Sequence, residues 1–99
     1  MMDMLKQAQA LQSKMKDFQD ELEKTEFLGS AGGGAVTVSV NGKHEVKKVT
    51  ITSEAFASGS DKMQDFVKAA VNDASRQAND HLKEGMGRIS GGLSLPGLF

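Results

Sequence analysis

The feature that most constrains this chain is an uninterrupted heptad seam at its start. Apolar residues recur at Met1, Met4, Ala8, Leu11, Met15, Phe18 and Leu22, with Thr25 next, in steps that alternate three and four. The residues between them are mostly Gln, Lys, Asp and Glu, all compatible with helix, and no Gly or Pro intervenes before Gly29. The spacing predicts a helix from Asp3 to Glu26. At 1.5 Å per residue its 24 residues run roughly 36 Å, more than a compact domain of about 100 residues measures across. Part of that helix must project, and its narrow seam (Met4, Ala8, Leu11, Met15, Phe18 and Leu22) calls for a second helix, from this chain or from another copy.

Beyond Glu26 the period changes from helical to alternating. Phe27 to Ser30 reads as a short strand ending in the flexible Ala31-Gly32-Gly33-Gly34. Val36, Val38 and Val40 then alternate with Thr37 and Ser39, as in a strand with one buried face. Asn41-Gly42 is a strong hairpin signal, because both turn residues accept positive φ. The return strand, Lys43 to Thr52, has Val49 and Ile51 on one side and Val46 out of step, so a bulge near Lys47-Lys48 is expected to restore the phase. Ser53 to Gly59 is a connector with Phe56 expected to plug the core. Ser60 is a good N-cap, and Met63, Phe66, Val67, Ala70, Val71, Ala74, Ala78 and Leu82 place a second long helix up to Lys83 or Glu84. Gly85-Met86-Gly87 and Gly91-Gly92 are expected to break it, leaving residues 93–99 as a flexible tail whose Leu93, Leu95, Leu98 and Phe99 have no evident place of burial. The fold class is α+β in the order α-β-β-β-α, a small antiparallel sheet with two long helices, and residues 1–92 form one domain.

Composition narrows the chemistry. With 5 Phe and neither Trp nor Tyr, the core must be built from small and medium side chains, which a chain of 99 residues rarely assembles into a robust monomer. The absence of cysteine excludes disulfides, thiolate metal sites and a Cys nucleophile. No secretory leader pattern opens the chain and no apolar run is long enough to span a bilayer, so a cytoplasmic location is expected. The glycine runs do not lead from a strand into a helix, as a phosphate cradle requires. His44 and His81 stand alone, without ligands at metal spacing, and no nucleophile elbow is present. These residues point to no enzyme, no metal, no cofactor and no small-molecule substrate.

Charge is more informative in its placement than in its sum. The formal net charge is -1, so no global positive field draws in a polyanion. In residues 1–16, however, Lys6, Lys14 and Lys16 face only Asp3, while residues 17–26 carry Asp17, Asp20, Glu21, Glu23 and Glu26 against Lys24. The second helix repeats the trend more weakly, with Arg76, Lys83 and Arg88 toward its end against Asp80 and Glu84. Both basic ends are the helix ends farthest along the chain from the strands. Lys43, His44, Lys47 and Lys48, with Glu45 among them, form a third cluster on the hairpin.

Several motifs occur together in order: Met4-Leu5-Lys6-Gln7-Ala8-Gln9; Gly32-Gly33-Gly34 with Val38 and Asn41-Gly42-Lys43-His44-Glu45-Val46-Lys47-Lys48-Val49; Ala69-Ala70-Val71-Asn72-Asp73-Ala74; Met86-Gly87; and Gly91-Gly92-Leu93 with Leu95-Pro96-Gly97. In these the chain closely resembles the YbaB/EbfC family of bacterial nucleoid-associated proteins over nearly its whole length. The resemblance implies an intertwined, tweezer-like homodimer with a shared β body and projecting helices that binds DNA in the cytoplasmic nucleoid, with effects on nucleoid organisation and gene expression. It brings no catalytic or metal residues. From the charge pattern itself, Lys6, Lys14 and Lys16 with Arg76, Lys83 and Arg88 are the expected phosphate contacts, and Gln7 and Gln12 the expected polar ones. The competing expectation is a protein-interaction module, holdase-like, that grips polypeptides with paired arms and the apolar tail.

Overall fold

The computed structural model describes residues 2–90. Helix α1 (Met2–Lys24) leads into an antiparallel sheet of β1 (Glu26–Ala31), β2 (Val36–Asn41) and β3 (Val46–Ile51); a short α2 (Ser53–Ala57) and a long α3 (Ser60–Ser90) follow. The strands lie in sequence order with β2 in the centre. The expected 93–99 tail, and the Gly91-Gly92 break before it, lie outside the described residues.

The α+β order expected from the periodicities is the one observed, with α2 as an addition. Val36, Val38 and Val40 point to one side of the sheet and are fully buried beneath Ala70, Ala74 and Ala78 of α3. Small residues on both sides make this close approach possible. At Gly29 of β1 a Cβ would run into the backbone of Ala70 and Ala74, so only glycine lets the helix seat there. Helix α3 also closes the outer edge of β1: Asp73 Oδ2 accepts from the Ser30 amide at 3.2 Å, and Gln77 Nε2 donates to the Leu28 carbonyl at 2.8 Å.

Where the hairpin returns, Ser39 pairs with Lys48 but Val40 with Val46, so Lys47 is the extra residue of a bulge. Val46, Val49 and Ile51 thereby come to one side, as the expected bulge requires. The turn itself differs from expectation. The left-handed residue is His44, at φ 66°, rather than Asn41 or Gly42. Gly42 is there for space: a Cβ on it would meet the backbone and side chain of Leu22 of α1. Asn41 is buried and fully bonded, its Oδ1 accepting from the amides of Lys43 and Glu45 (both 3.0 Å) and its Nδ2 donating to Glu45 Oε1 at 2.8 Å and the Glu23 carbonyl at 3.3 Å.

Two expectations are overturned. Phe56 does not plug the core; it is 72% exposed, and Ala55 takes the buried position because α2 turns that side chain inward. Helix α3 does not stop at Lys83 or Glu84 but runs through Gly85 and Gly87 to Ser90. Gly85 lies against the ring of Phe18, where a side chain would not fit, so the glycine that costs helix propensity is what admits α1.

Helices α1 and α3 run antiparallel from the sheet. The radius of gyration is 18.5 Å, against about 13 Å for a compact domain of this size, and the molecule measures 66 × 23 × 16 Å. The projecting first helix is therefore realised.

Candidate nucleic-acid interface

At the root of the helix pair, Phe18 and Leu22 of the seam are buried against this same chain's α3 and hairpin. Met15 and Leu11 are half-buried, and Ala8 and Met4 are exposed. His81 of α3 completes the junction, its ring 6.2 Å from Phe18 and 5.3 Å from Phe27, with Nε2 3.7 Å from Glu21 Oε1 and no hydrogen-bond partner. Among the described residues no three His, Asp or Glu side chains gather as metal ligands.

Farther out, the two helices enclose an open hollow of about 350 Å³ lined by Lys14, Asp17, Phe18, Glu21, Gly85, Arg88 and Ile89. Here the structure joins two of the expected phosphate contacts. Lys14 lies one turn before Phe18, and Arg88 reaches the same hollow because α3 continues past Gly85. Sequence reasoning missed this pairing by ending the helix early. Its signal was nonetheless present, since Ala78, Leu82, Gly85 and Ile89 continue the three-and-four spacing.

The remaining expected contacts do not share that hollow. Lys6 falls on the side of α1 away from the seam, while Gln7, Gln12 and Lys16 are exposed along the same helix. Arg76 and Lys83, seven residues apart, occupy the face of α3 opposite the buried alanines. Arg76 is not on the distal arm: it lies level with β1, with Nη1 3.7 Å from Asp73, whose carboxylate also holds the Ser30 amide.

The hairpin cluster is countered by Glu45, which stands within it in the sequence, and by Glu23, which the linear sequence leaves apart. Lys43 Nζ is 3.1 Å from Glu23 Oε1, and Lys47 Nζ is 3.9 Å from Glu45 Oε1. The Asn41 amide and the nearby Lys47 hold the Glu45 carboxyl below its ordinary value, so it stays negative beside those lysines. Lys48 is exposed on β3.

Beneath the sheet's outer strand the core is incomplete. Helix α3 covers β1 and β2 but leaves Val46, Val49 and Ile51 of β3 40–51% exposed, on the side of the sheet that faces the core. No described helix is long and apolar enough to cross a membrane.

Comparison with known proteins agrees with this architecture. The family model of the YbaB/EbfC DNA-binding family matches residues 1–93. Nucleoid-associated proteins of three bacteria are similar throughout. That of Clostridium novyi is 42% identical over 98% of this chain and 86% of its own length, and that of Alkaliphilus metalliredigens 43% over 100% and 88%. That of Afipia carboxidovorans is 45% identical over 96% and 91%. A crystal structure of an uncharacterized protein from Helicobacter pylori shares the fold, with a TM-score of 0.78 at 20% identity, covering 87% of this chain and 91% of that one. With the helix pair, the three-stranded sheet and the glycine-rich turn all in their places, the chain belongs to the YbaB/EbfC DNA-binding family.

Proposed function

We propose that this protein is a non-catalytic, nucleoid-associated DNA-binding protein that grips duplex DNA as a homodimer, with consequences for nucleoid organisation and gene expression. The observation that carries the reading is the basic surplus of residues 1–16, where Lys6, Lys14 and Lys16 face only Asp3 on an exposed projecting helix; the α1–α3 hollow that Lys14 shares with Arg88 also holds Asp17 and Glu21 and is itself charge-balanced. The hairpin lysines, by contrast, sit beside Glu23 and Glu45. In a protein of net charge -1, such a local surplus is where a phosphate backbone finds compensation. Lys6, Lys16 and Lys83 extend that surplus along the helices, Gln7 and Gln12 add polar contacts, and Arg76 contributes least because Asp73 already holds it. Nothing in the arrangement reads base edges, so preference among sequences would come from DNA shape and the spacing of the arms.

Homodimerisation is supported by the uncovered row Val46, Val49 and Ile51. A two-fold partner presenting the same row would complete the core that α3 leaves open. In this reading the body of the dimer lies at β3 rather than along the root of the α1 seam, which the chain's own α3 occupies.

A gel-shift titration across salt concentrations tests the DNA reading. Replacing Lys6 and Lys14 by Ala is expected to weaken binding to all sequences and to flatten the dependence of log K on log salt by about one unit per lost contact. Replacing Lys47 and Lys48 by Ala should matter less. The arm reading fails if the hairpin pair abolishes binding while the arm pair changes neither affinity nor slope. Absence of binding by the parent at low salt would instead favour a polypeptide-binding adaptor, for which the exposed Phe56 and β3 row supply the apolar surface.

A further inference from the structure

The open flank of the core has a complement on the same chain. Helix α3 bonds β1 along one flank, through Asp73 and Gln77, and its other flank, toward β3, carries the half-buried Val67 and Val71. With Val46, Val49 and Ile51 as floor and these two valines as wall, the uncovered side of β3 is an apolar ledge. Just past its Ile51 end stands Phe56 of α2, 72% exposed and packed on nothing. The chain holds it there. The Thr52 hydroxyl oxygen accepts from the Ala55 amide at 3.2 Å, the Ser58 hydroxyl donates to the Ala55 carbonyl at 2.6 Å, and Ala55 itself is 2% exposed. Rolling α2 to bring Phe56 inward would break those bonds and pull Ala55 out of the core.

We infer that Phe56 is the anchor of the homodimer: in a two-fold pair, the Phe56 of each copy packs on the β3 ledge of the other, beside Val67 and Val71. This rests on the homodimer proposed above and names the side chain that completes its interface. Area supports it. A stable interface buries about 800 Å² on each partner, and three half-exposed aliphatic side chains supply only a small part of that. A phenylalanine brings roughly 150–250 Å² more, and aromatic side chains are the common anchors at the centre of such contacts. Reciprocity supports it too. Knob and ledge occur once each on every chain, so a two-fold exchange buries both at the same time. A foreign segment lying on the ledge would leave Phe56 in water. The inference does not depend on DNA binding.

Two measurements on the full chain test it. Because the protein has no tryptophan, Phe56→Trp places a single fluorophore at the anchor. Its emission should be blue-shifted where the protein is a dimer and move to the red on dilution, in step with the dissociation followed by sedimentation. Adding Val49→Asp and Ile51→Asp should hold it red at every concentration. In the second measurement, Phe56→Ser should raise the dimer dissociation constant by about tenfold or more, and Phe56→Leu should recover part of the loss, while the β2 amides keep their exchange protection and report an intact fold. A dimer whose tryptophan stays red, or a Phe56→Ser chain that dimerises as tightly as the parent, overturns the inference and leaves the β3 dimer standing. A blue emission that persists in the dissociated chain also overturns it, because the occupant is then the chain itself. A parent that stays monomeric at every concentration removes the homodimer reading, and this inference with it.

Discussion

Single residues carry this fold where backbone meets backbone. Gly29→Ala would drive a methyl into the backbone of Ala70 and Ala74, which cannot rotate away, so we expect a loss of about 3 kcal/mol or more, or failure to fold, by chemical denaturation. Gly85→Ala would push a methyl into the buried ring of Phe18, so despite about 1 kcal/mol gained in helix propensity it should displace that ring and loosen the α1–α3 contact, while the sheet and the Ala70–Ala78 face stay intact. Asn41→Ala removes the buried partner of the Glu23 carbonyl and of two turn amides that are themselves only partly buried, and should cost about 1 kcal/mol or somewhat more. Its partner Glu45 has a carboxyl held low in the folded state, first by that Asn41 bond and then by Lys47. A group depressed in this way stabilises the fold above its unfolded titration range and loses that contribution as the pH falls through its folded one. The hairpin amides should therefore lose hydrogen-exchange protection at acid pH, and Glu45→Gln should remove that dependence.

At the scale of elements, the α1–α3 contact is narrow, resting on Phe18 and Leu22 against Gly85, His81 and the hairpin. A carboxylate in place of Phe18 would be buried among apolar groups at that root. Phe18→Asp should therefore detach α1, measured as lost protection along the helix, while β2 and the Ala70–Ala78 face of α3 stay protected. Leu11→Asp lies farther out in a half-buried position and should do much less. The two edge strands differ in a related way. The outward edge of β1 is held by Asp73 and Gln77, whereas β3 has only its bulge and two lysines to discourage pairing.

For the whole molecule, the expectation is a dimer that shares the β3 surface. Val49→Asp with Ile51→Asp places charge on that row, beside their cross-strand partners Val38 and Val36, and sedimentation at micromolar concentration should shift from dimer to monomer while retained exchange protection of the β2 amides reports an intact fold. A parent that is a stable monomer would refute the assignment. In a dimer joined there, each chain keeps its own α1–α3 arm, so the basic first 16 residues of α1 are duplicated and DNA affinity should fall together with dimerisation in this variant.

Periodicity is local, and what depends on it was legible in the linear chain: the long first helix, the alternating β2, the bulge that rephases Val46, and the projection of an arm too long for its globule. The family motifs added the DNA-binding assignment. Glycine was the recurring ambiguity. Read along the chain, Gly85 looks like a helix stop and Gly42 like a positive-φ turn residue; in space each makes room for a side chain of α1, more than 15 residues away in sequence. Phe56 misled for the same reason, because apolar size says a residue can be buried but not which side of α2 faces α3. The candidate interface divided along this line as well. The polarity of α1 and the nearness of Lys47 to Glu45 are properties of sequence, whereas the common hollow of Lys14 and Arg88 and the pairing of Lys43 with Glu23 exist only once helices and hairpin are packed. Charge interaction depends on distance in space, and tertiary structure alone sets that distance.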